Sequence, residues 1–597
     1  MAGPTRAWFR ETLTLGGYLR ARLSRQQTWY LGESLFMRIA RRLLRLPMGT
    51  LVENFHYGQL ERSTGIRKLA YEQGLAVIAA EPLPLKRLDP GFAADMDLLA
   101  SKFMLDHLFS KYEFQGMAMQ FAQEHPEMDV RLVASERPFP TLESNASPLK
   151  LTRLRPQQWL TFLLSLFVAP LYLAQLFKRH GVAGDDHQFA DQLLCEVDSM
   201  PIVDMFQSLF QPGYALVFFT QPHYLGQFSP EQSTAIGLRV HGIGAGKRQR
   251  LIALLQGWLK LVFLDARRLA RGGLLPFDFF KSLAQGILIT PMASRCTYLT
   301  FEHMSTVRAA RNELLRATGN KSVFVPYNTY AIDHYFVPEF RYNYDVLCSP
   351  CELLEKAYRL QQASTPTILR TGAFSPHMLL ADELANARQA RLAAFKGDCL
   401  TVTILSTGVT QQSASSEAKL IRLARELAAQ PGVKVFIRQK PTLPEGRYAH
   451  MYSEGLKDLP NVLLTHAEYK LFDFLPVTDL FITSSSSAAV DLCSAGGDFY
   501  SIDFWDDRDL YLWQTEVDGV YLAPEWALAT IMYFLRADTS GAREQHRQRM
   551  HALRKLISFP AGSFEAYRKR LLEHLDSYLP AAKAQATHPT TLERATT

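Results

Sequence analysis

Short apolar runs alternate with amphipathic stretches along most of the chain. The runs "CLTVTILST", "VKVFIRQKP" and "DLFIT" have the length of buried strands, whereas "EAKLIRLARELAAQ" repeats its apolar residues at helical spacing. The same alternation runs from residue 214 to residue 374. Strands that alternate with helices indicate parallel sheets covered on both faces. The sequence therefore predicts an α/β protein.

The alternating pattern stops and restarts once. At 597 residues the chain is too long for a single core. We predict two doubly wound domains, 51–374 and 398–578, joined by a charge-rich helical linker at 375–397. The tail, 579–597, has little apolar surface to bury and is predicted to be disordered.

The formal net charge of +7 is concentrated at the start of the chain. Residues 1–50 contain nine arginines and two glutamates, so the remaining residues balance to zero. In "SLFMRIARRLLRLP" leucines and arginines alternate at helical spacing, which favours a basic helix on an anionic membrane surface. The body has no basic stripe, so nucleic acid is not expected as a partner. We predict a basic, helical, membrane-associating arm over 1–50.

One uncharged segment has the length of a membrane span. Residues 156–177 carry no charge, but Pro170 lies in the middle and basic residues flank both ends. The pattern favours a helix that lies in or on the membrane. A buried core helix and a true span are the two alternatives.

The six cysteines are scattered along the chain. Cys348 and Cys351 form a lone CxxC with no second pair and no histidine cluster beside it, so buried free thiols are expected in place of a metal or redox site. Scattered cysteines without a disulfide framework are typical of the reducing cytoplasm.

Four consecutive serines, Ser484 to Ser487, separate the apolar run "DLFIT" from the helical pattern that begins at Ala488. The serines therefore follow the carboxyl end of a strand and precede a helix, which is where ligands bind in open α/β sheets. Unpaired N–H groups at a helix start and serine hydroxyls both suit phosphate. An ordinary serine N-cap is the alternative.

The restart of the α/β pattern, the turn "FIRQKP" and the stretch "DLFITSSSSAAVD" resemble the GT-B glycosyltransferases. They are similar to bacterial surface-polysaccharide enzymes such as CDP-glycerol glycerophosphotransferases and CMP-sugar transferases, over roughly residues 290–525. The resemblance implies two facing Rossmann-like domains, with a nucleotide donor held by the C-terminal one.

The resemblance also implies residues for donor binding. They are Thr407, Gly408, Arg438, Lys440, Ser485, Ser486, Ser487 and Asp491. The three serines would donate to donor phosphates, with Ser484 as a cap, and Arg438 and Lys440 would neutralise phosphate charge. Lys440-Pro441 stands where relatives often carry His-Pro. Asp491 would accept from a sugar or ribose hydroxyl or bond back to the serines.

A general base is expected near the acceptor hydroxyl, on the N-terminal domain. Glu302 and His303, after the strand "TYLT", are the first candidates, and Asp333 and His334 are the second. Many relatives carry a Gln-His-Gly after a first-domain strand, where this chain reads "VPYNTYAID".

The stretch "HGIGAGKRQR", residues 241–250, is only superficially like a phosphate-binding P-loop. The P-loop pattern needs an opening glycine and a closing hydroxyl residue, whereas this chain has His241 and Arg248 there. A basic loop before a helix is predicted instead.

These patterns together predict a peripheral enzyme on the inner face of the cytoplasmic membrane. The resemblance implies that it would transfer a sugar or polyol phosphate from a cytidine or uridine nucleotide donor to a glycan, lipid-linked or oligosaccharide acceptor. No cofactor and no metal are required, because the nucleotide-activated donor is a substrate and cationic residues can stabilise its leaving phosphate. A nucleotide-sugar epimerase and a catalytically inactive GT-B scaffold are the alternatives.

Overall fold

The computed structural model describes most of the chain between residues 6 and 579. The positions outside the described residues are 1–5, 47–51, 55–63, 81–84, 86–87, 89–94, 136–149, 155–157, 181–188, 190–191, 212, 223, 273–274, 293–294, 302–304, 327–342, 350, 361–366, 373–384, 406–413, 440–448, 466–467, 484–487, 503–516, 537–539, 558–563 and 580–597. The predicted tail therefore lies outside the described residues beyond Leu579.

The first sheet has five parallel strands in the order β3-β2-β1-β4-β5. Its strands are β1 (Arg6–Leu13), β2 (Gln27–Glu33), β3 (Val52–Asn54), β4 (Asp129–Ser135) and β5 (Lys150–Leu154). The helices of this region are α1 (Leu15–Ser24), α2 (Leu35–Leu44), α3 (Thr64–Ala80) and α4 (Met96–Glu124). The long helix α4 packs on α3 and supplies Phe114 and Met117 to the core under β1.

The prediction of a helical arm over 1–50 is wrong for residues 6–46, which form β1-α1-β2-α2. β1 is the central strand of the sheet, and Ala7 and Phe9 on it are fully buried. Its arginines have partners within the fold. The Arg6 Nε lies 2.6 Å from Asp129 Oδ2, and the Arg10 guanidinium stacks 4.6 Å from the Trp8 ring centre. Arg6 and Arg10 therefore belong to a central strand of a sheet.

The second sheet has seven parallel strands in the order β12-β11-β10-β9-β6-β7-β8. The strands are β6 (Leu193–Glu196), β7 (Leu216–Thr220), β8 (Arg239–Val240), β9 (Thr297–Thr300), β10 (Lys321–Phe324), β11 (Val346–Ser349) and β12 (Thr367–Arg370). The helices are α5 (Gln158–His180), α6 (Met200–Phe210), α7 (Pro230–Ala235), α8 (Ala245–Gly272), α9 (Leu275–Ile289), α10 (Thr306–Ala317) and α11 (Glu352–Leu360). The predicted α/β alternation is confirmed here.

The uncharged segment 156–177 forms most of α5, which packs against α8 and α9. Ala169, Leu173 and Leu176 on α5 are buried, whereas Phe167 and Leu171 are 71% and 67% exposed. None of the described helices is both long enough and apolar enough to cross a membrane. α5 is thus partly a core helix and partly an exposed apolar ridge.

The third sheet has six parallel strands in the order β15-β14-β13-β16-β17-β18. The strands are β13 (Leu400–Leu405), β14 (Val433–Arg438), β15 (Val462–Thr465), β16 (Leu480–Thr483), β17 (Phe499–Ile502) and β18 (Tyr521–Leu522). The helices of this region are α12 (Ala385–Lys396), α13 (Ala414–Ala428), α14 (Ala449–Leu456), α15 (Ala488–Ala495), α16 (Pro524–Arg536), α17 (Ser540–Ile557) and α18 (Phe564–Leu575). The stretch "EYKLFDFLP" between β15 and β16 contains only a short 3-10 turn, Leu471–Phe474.

The linker and the last helix join the two larger sheets. α12 lies within the predicted linker 375–397, and its Arg388 is buried in an ion pair with Asp473. α18 returns to the seven-stranded sheet, where Leu571 and Leu575 are fully buried in the core beneath β6 and β11. Residues 564–579 thus pack outside the C-terminal domain that was predicted to extend to 578.

Cys348 and Cys351 are buried thiols that are not joined in a disulfide, as the sequence predicts. Cys348 lies in β11, and burial raises the pKa of its thiol to about 12. A thiol with this pKa stays protonated near neutral pH and is a poor nucleophile.

Leu571→Ala tests the return of α18 to the seven-stranded sheet. Removing a fully buried leucine side chain should lower the free energy of unfolding by about 2–5 kcal/mol. Lys569→Ala is the matched control, because Lys569 lies on the same helix with its side chain 77% exposed. Urea unfolding measures both. Equal stability of the two variants would show that α18 does not dock on this core.

Candidate functional site

The strand order of the six-stranded sheet reverses between β13 and β16. Numbered by their order in the chain, the strands lie across the sheet as third, second, first, fourth, fifth and sixth. This is the doubly wound order of Rossmann-type sheets. At the reversal, connections leave the neighbouring strands toward opposite faces and open a crevice at their carboxyl ends. This reversal is the place where such a sheet binds ligands.

Most of the predicted donor residues lie outside the described residues, but the strands before them are described. Thr407 and Gly408 follow β13, which ends at Leu405; Lys440 follows β14. Ser485, Ser486 and Ser487 lie between Thr483, the end of β16, and Ala488, the start of α15. All three segments thus follow the carboxyl ends of the adjacent strands β14, β13 and β16. Their assignment to a donor stays a prediction.

Arg438 and Asp491 are the predicted donor residues that are described, and the fold brings them within electrostatic reach of each other. Arg438 is the last residue of β14, and Asp491 lies in the first turn of α15. Burial lowers the pKa of Arg438, while the negative charges of Asp491 and Asp473 oppose that shift. Arginine nevertheless stays protonated at physiological pH. The carboxyl edge therefore holds a partly buried cation.

Arg438 is incompletely paired in the part of the chain that is described. Its Nε is buried without a hydrogen-bond partner there. Asp473 is already engaged, because Arg388 donates to it from Nε at 2.6 Å and from Nη2 at 3.2 Å. The backbone N–H of Lys470 also donates to Asp473, at 2.7 Å. A partly buried cation whose Nε is buried without a described hydrogen-bond partner favours an anionic ligand, because a buried donor that makes no hydrogen bond is costly.

The seven-stranded sheet also reverses its order, between β6 and β9. The predicted bases Glu302 and His303 follow β9, and Asp333 and His334 follow β10, but all four lie outside the described residues. The structure therefore does not test them. The carboxyl ends of β6, β7 and β8, by contrast, are described in full.

A buried glutamate occupies the carboxyl end of β6. Glu196 Oε2 pairs with the Arg311 guanidinium, and Thr300 Oγ1 donates to the same oxygen at 3.3 Å. Gln221 Nε2 donates to Glu196 Oε1 at 2.9 Å. Burial alone would raise the pKa of Glu196, but the charges of Arg311 and Arg308 lower it to about 2. This carboxylate is ionised at all physiological pH values.

A buried histidine lies beside this network, at the carboxyl end of β8. The His241 N–H donates to the Thr220 carbonyl at 3.3 Å, and the ring stacks on Phe219 with centroids 5.0 Å apart. His241 is 1% exposed, and neither ring nitrogen has a hydrogen-bond partner among the described residues. Burial lowers the pKa of His241 well below its usual range, Lys247 lowers it further, and Glu196 opposes both. The imidazole is therefore neutral near pH 7.

Sequence reasoning missed Glu196, Arg311 and His241. Residues 241–244 do lead into α8, as predicted for a loop before a helix, but the first of them is a core residue. The sequence did contain a signal for His241, because a histidine that directly follows a strand lies at the carboxyl edge of the sheet. Glu196 and Arg311 gave no such signal, since only the fold brings β6 and α10 together.

Comparisons with known proteins give distant structural neighbours. No family model matches the sequence, and neither does any curated protein. The S. aureus MnaA–UDP co-structure has a TM-score of 0.41 at 9% identity, covering 65% of this chain and 97% of its own. A Neisseria meningitidis UDP-GlcNAc 2-epimerase bound to UDP-GlcNAc has a TM-score of 0.38 at 10% identity, covering 65% and 99%. The wall teichoic acid polymerase TagF has a TM-score of 0.36 at 12% identity, covering 71% and 98%. Likeness at this level does not establish a function for this chain.

Glu196→Gln tests the buried ion pair through its pH dependence. The pKa of Glu196 is lowered by folding, so its stabilisation is complete above about 4.5, the pKa of an unperturbed glutamate, and is lost as pH falls toward about 2. At pH 7 the variant should lose about 3–5 kcal/mol of unfolding free energy, because Arg311 stays buried without its partner. The difference from wild type should shrink below pH 4.5, since wild-type Glu196 is then protonated in the unfolded chain.

Urea unfolding across this pH range measures the effect. Glu426→Gln is the control, because Glu426 pairs with Arg422 at the surface. A Glu196→Gln deficit that does not change with pH would contradict the assignment of a low pKa to Glu196.

Proposed function

We propose that this protein is a GT-B-type transferase that uses a cytidine or uridine nucleotide donor. It transfers a sugar or polyol phosphate to a lipid-linked or oligosaccharide acceptor, in the assembly of a bacterial surface polysaccharide. The donor binds at the carboxyl edge of the six-stranded sheet, and the acceptor is activated at the carboxyl edge of the seven-stranded sheet. If the protein binds a nucleotide but transfers no group to any acceptor, it is an epimerase or an inactive scaffold instead.

The incompletely paired Arg438 is the observation that carries the donor site. It lies on β14, one strand from the reversal between β13 and β16, and its Nε is buried without a described hydrogen-bond partner. A donor phosphate supplies the anion that this guanidinium lacks, through a charge-assisted hydrogen bond. The N-terminus of α15 faces the same edge and favours negative charge there.

The predicted loops complete the donor site in this proposal. Ser485, Ser486 and Ser487 donate hydroxyl hydrogen bonds, and Lys440 adds a second positive charge. Thr407 and Gly408 allow close approach of the donor after β13. Asp491 is the hydroxyl acceptor for a ribose or sugar, held near Arg438 in the first turn of α15. These roles follow from the resemblance and from the shared edge of the sheet.

His241 replaces the predicted acceptor-side bases in this proposal. His241-Gly242 directly follows the strand β8, at the carboxyl edge where the base is expected. A neutral imidazole accepts the acceptor hydroxyl proton as the acceptor oxygen attacks the donor. The nucleotide phosphate leaves with the bonding electrons and is stabilised by Arg438. Glu196 stabilises the imidazolium that forms, since its negative charge raises the pKa of His241.

The proposal also places the protein on the inner face of the cytoplasmic membrane. α1 and α2 are part of the first sheet region and do not form a separate arm. Their Leu23, Leu43 and Leu44 side chains are nevertheless 85%, 75% and 66% exposed. Exposed arginines accompany them, including Arg22 and Arg45. Leucines beside arginines on a helix surface suit an anionic bilayer. Flotation of the wild-type protein with anionic vesicles tests this location.

Arg438→Gln tests the donor site. A thermal-shift screen with CMP, CDP, UDP and GDP first identifies the nucleotide that stabilises the protein. Arg438→Gln should then weaken binding of that nucleotide by about 1.5–3 kcal/mol, the contribution of a hydrogen bond to a charged group. Calorimetric titration measures the affinity. Arg422→Gln is the control, because the Arg422 side chain is 82% exposed in the same domain. Equal affinities for both variants would remove Arg438 from the site.

His241→Asn tests the base. Turnover should fall by about 10²–10⁴-fold, the usual contribution of a general base, while donor affinity stays unchanged. The readout is release of the identified nucleotide from donors that carry it, in the presence of a bacterial membrane-lipid extract. His546→Asn is a matched control, because His546 is also fully buried with no described partner for its ring nitrogens. Unchanged turnover in His241→Asn would return the role to the residues after β9 or β10.

A further inference from the structure

α5 and α8 form a two-helix surface at one side of the seven-stranded sheet. The two helices are in contact, and the His180 ring at the end of α5 is hydrogen-bonded to the His241 backbone just before α8. The helices therefore run antiparallel. With a rise of about 1.5 Å per residue, Phe167 lies about 20 Å from His180, and residue 260 lies about 20 Å from Lys247. Phe167 and Lys260 are thus at the same level of the pair.

Large apolar side chains are exposed at this level on both helices. We call the exposed stripes of the two helices the α5–α8 face. Its apolar residues are Phe167 (71% exposed) and Leu171 (67%) on α5, with Leu259 (42%), Phe263 (82%) and Leu264 (77%) on α8. On α8, Leu259 and Phe263 continue the solvent-facing stripe that includes Ile252, at i+7 and i+11 spacing, and Leu264 lies beside the kink at Asp265. The apolar ends of the two stripes therefore coincide.

The other end of the same face is basic. Lys178 and Arg179 end the exposed stripe of α5, and Arg248 begins that of α8. Lys260 is exposed within the apolar end. Asp265 is the single acidic residue in the sequence of the two helices, and it is buried. The described face thus combines exposed apolar and cationic residues without an exposed acid.

We propose that the α5–α8 face docks on an anionic lipid bilayer, a step that rests on the membrane location proposed above. Phe167, Phe263 and Leu264 enter the boundary between headgroups and acyl chains, and Lys178 and Arg179 contact anionic headgroups. Apolar insertion and cationic contact are the two signals that stable peripheral attachment requires.

A second copy of the chain fits this face less well. A two-fold contact would pair the patch with itself, and the patch offers no opposite charge to its own cations. No described carboxylate on the face is available to neutralise them, because Asp265 is buried. Anionic lipid complements the charge, whereas an identical face does not.

The test is vesicle flotation with the full-length protein. Vesicles contain phosphatidylcholine with phosphatidylglycerol, and pure phosphatidylcholine vesicles serve as the uncharged reference. Combining Phe263→Ser with Leu264→Ser should weaken binding to anionic vesicles by about tenfold or more, because two exposed apolar side chains no longer insert. Combining Lys178→Gln with Arg179→Gln should weaken binding to anionic vesicles without reducing the weaker binding to phosphatidylcholine.

Trp526→Ser with Tyr533→Ser is the matched control. Both residues lie on α16 of the other large sheet, and each is 66% exposed. This control should bind vesicles as the wild type does. Vesicle binding by the Phe263/Leu264 variant equal to wild type would overturn the proposal. A wild-type dimer that this variant converts to a monomer in sedimentation would also overturn it, because the face would then be a subunit interface.

Nucleotide binding is measured for every variant by thermal shift. It should be unchanged, because the α5–α8 face is outside the six-stranded sheet. If the wild type binds nucleotide and does not bind anionic vesicles, the membrane location and this inference both fail while the donor site stands.

Discussion

Parallel strand pairing is the constraint on which the rest of the molecule depends. Consecutive parallel strands require a crossover, and the crossovers here are mainly helices that cover the faces of the sheets. In all three sheets the order reverses next to the first strand of that sheet, so each has a crevice at its carboxyl edge. Side chains that end neighbouring strands are thereby brought together although they are far apart in sequence.

The two larger sheets use this edge in different ways. In the seven-stranded sheet, Glu196 and Arg311 neutralise each other and fill the reversal with a complete ion pair. In the six-stranded sheet, Arg388 satisfies Asp473 from the linker helix, and Arg438 keeps a buried Nε without a described partner. One edge is therefore internally neutralised and positions a neutral histidine beside a fixed negative charge. The other edge favours an added anion.

The alternating pattern was sufficient to predict the α/β class, the strands β7 and β9 to β17, and the helical linker. It failed for residues 6–46 because Arg6 and Arg10 interrupt the apolar character of β1, and their partners, Asp129 and Trp8, become evident only in the folded sheet. Periodicity also could not separate a core helix from a surface helix in α5, since both faces of that helix are apolar. The strand β16 before the four serines and the helix α15 after them were predicted correctly, because strand and helix patterns meet there.

The candidate site was predictable on one side only. Arg438 and Asp491 are close in sequence to strand and helix signals at one edge, so the pattern placed them together. The Glu196, Gln221 and Arg311 network depends on the pairing of β6 with β7 and on the position of α10, which no short motif encodes. His241 was not predicted as a site residue, because the stretch that it begins superficially resembles a P-loop. Its position directly after the strand β8 was the informative feature.

Hydrogen–deuterium exchange with and without the stabilising nucleotide tests the central claim most directly, namely that the donor binds at the reversal between β13 and β16. Protection on binding should be greatest in peptides that cover the ends of β13, β14 and β16 and the first turn of α15, including Arg438 and Asp491. Peptides that cover β1 and β2 should not change. Protection confined to the ends of β6 and β9, with none near Arg438, would contradict the account.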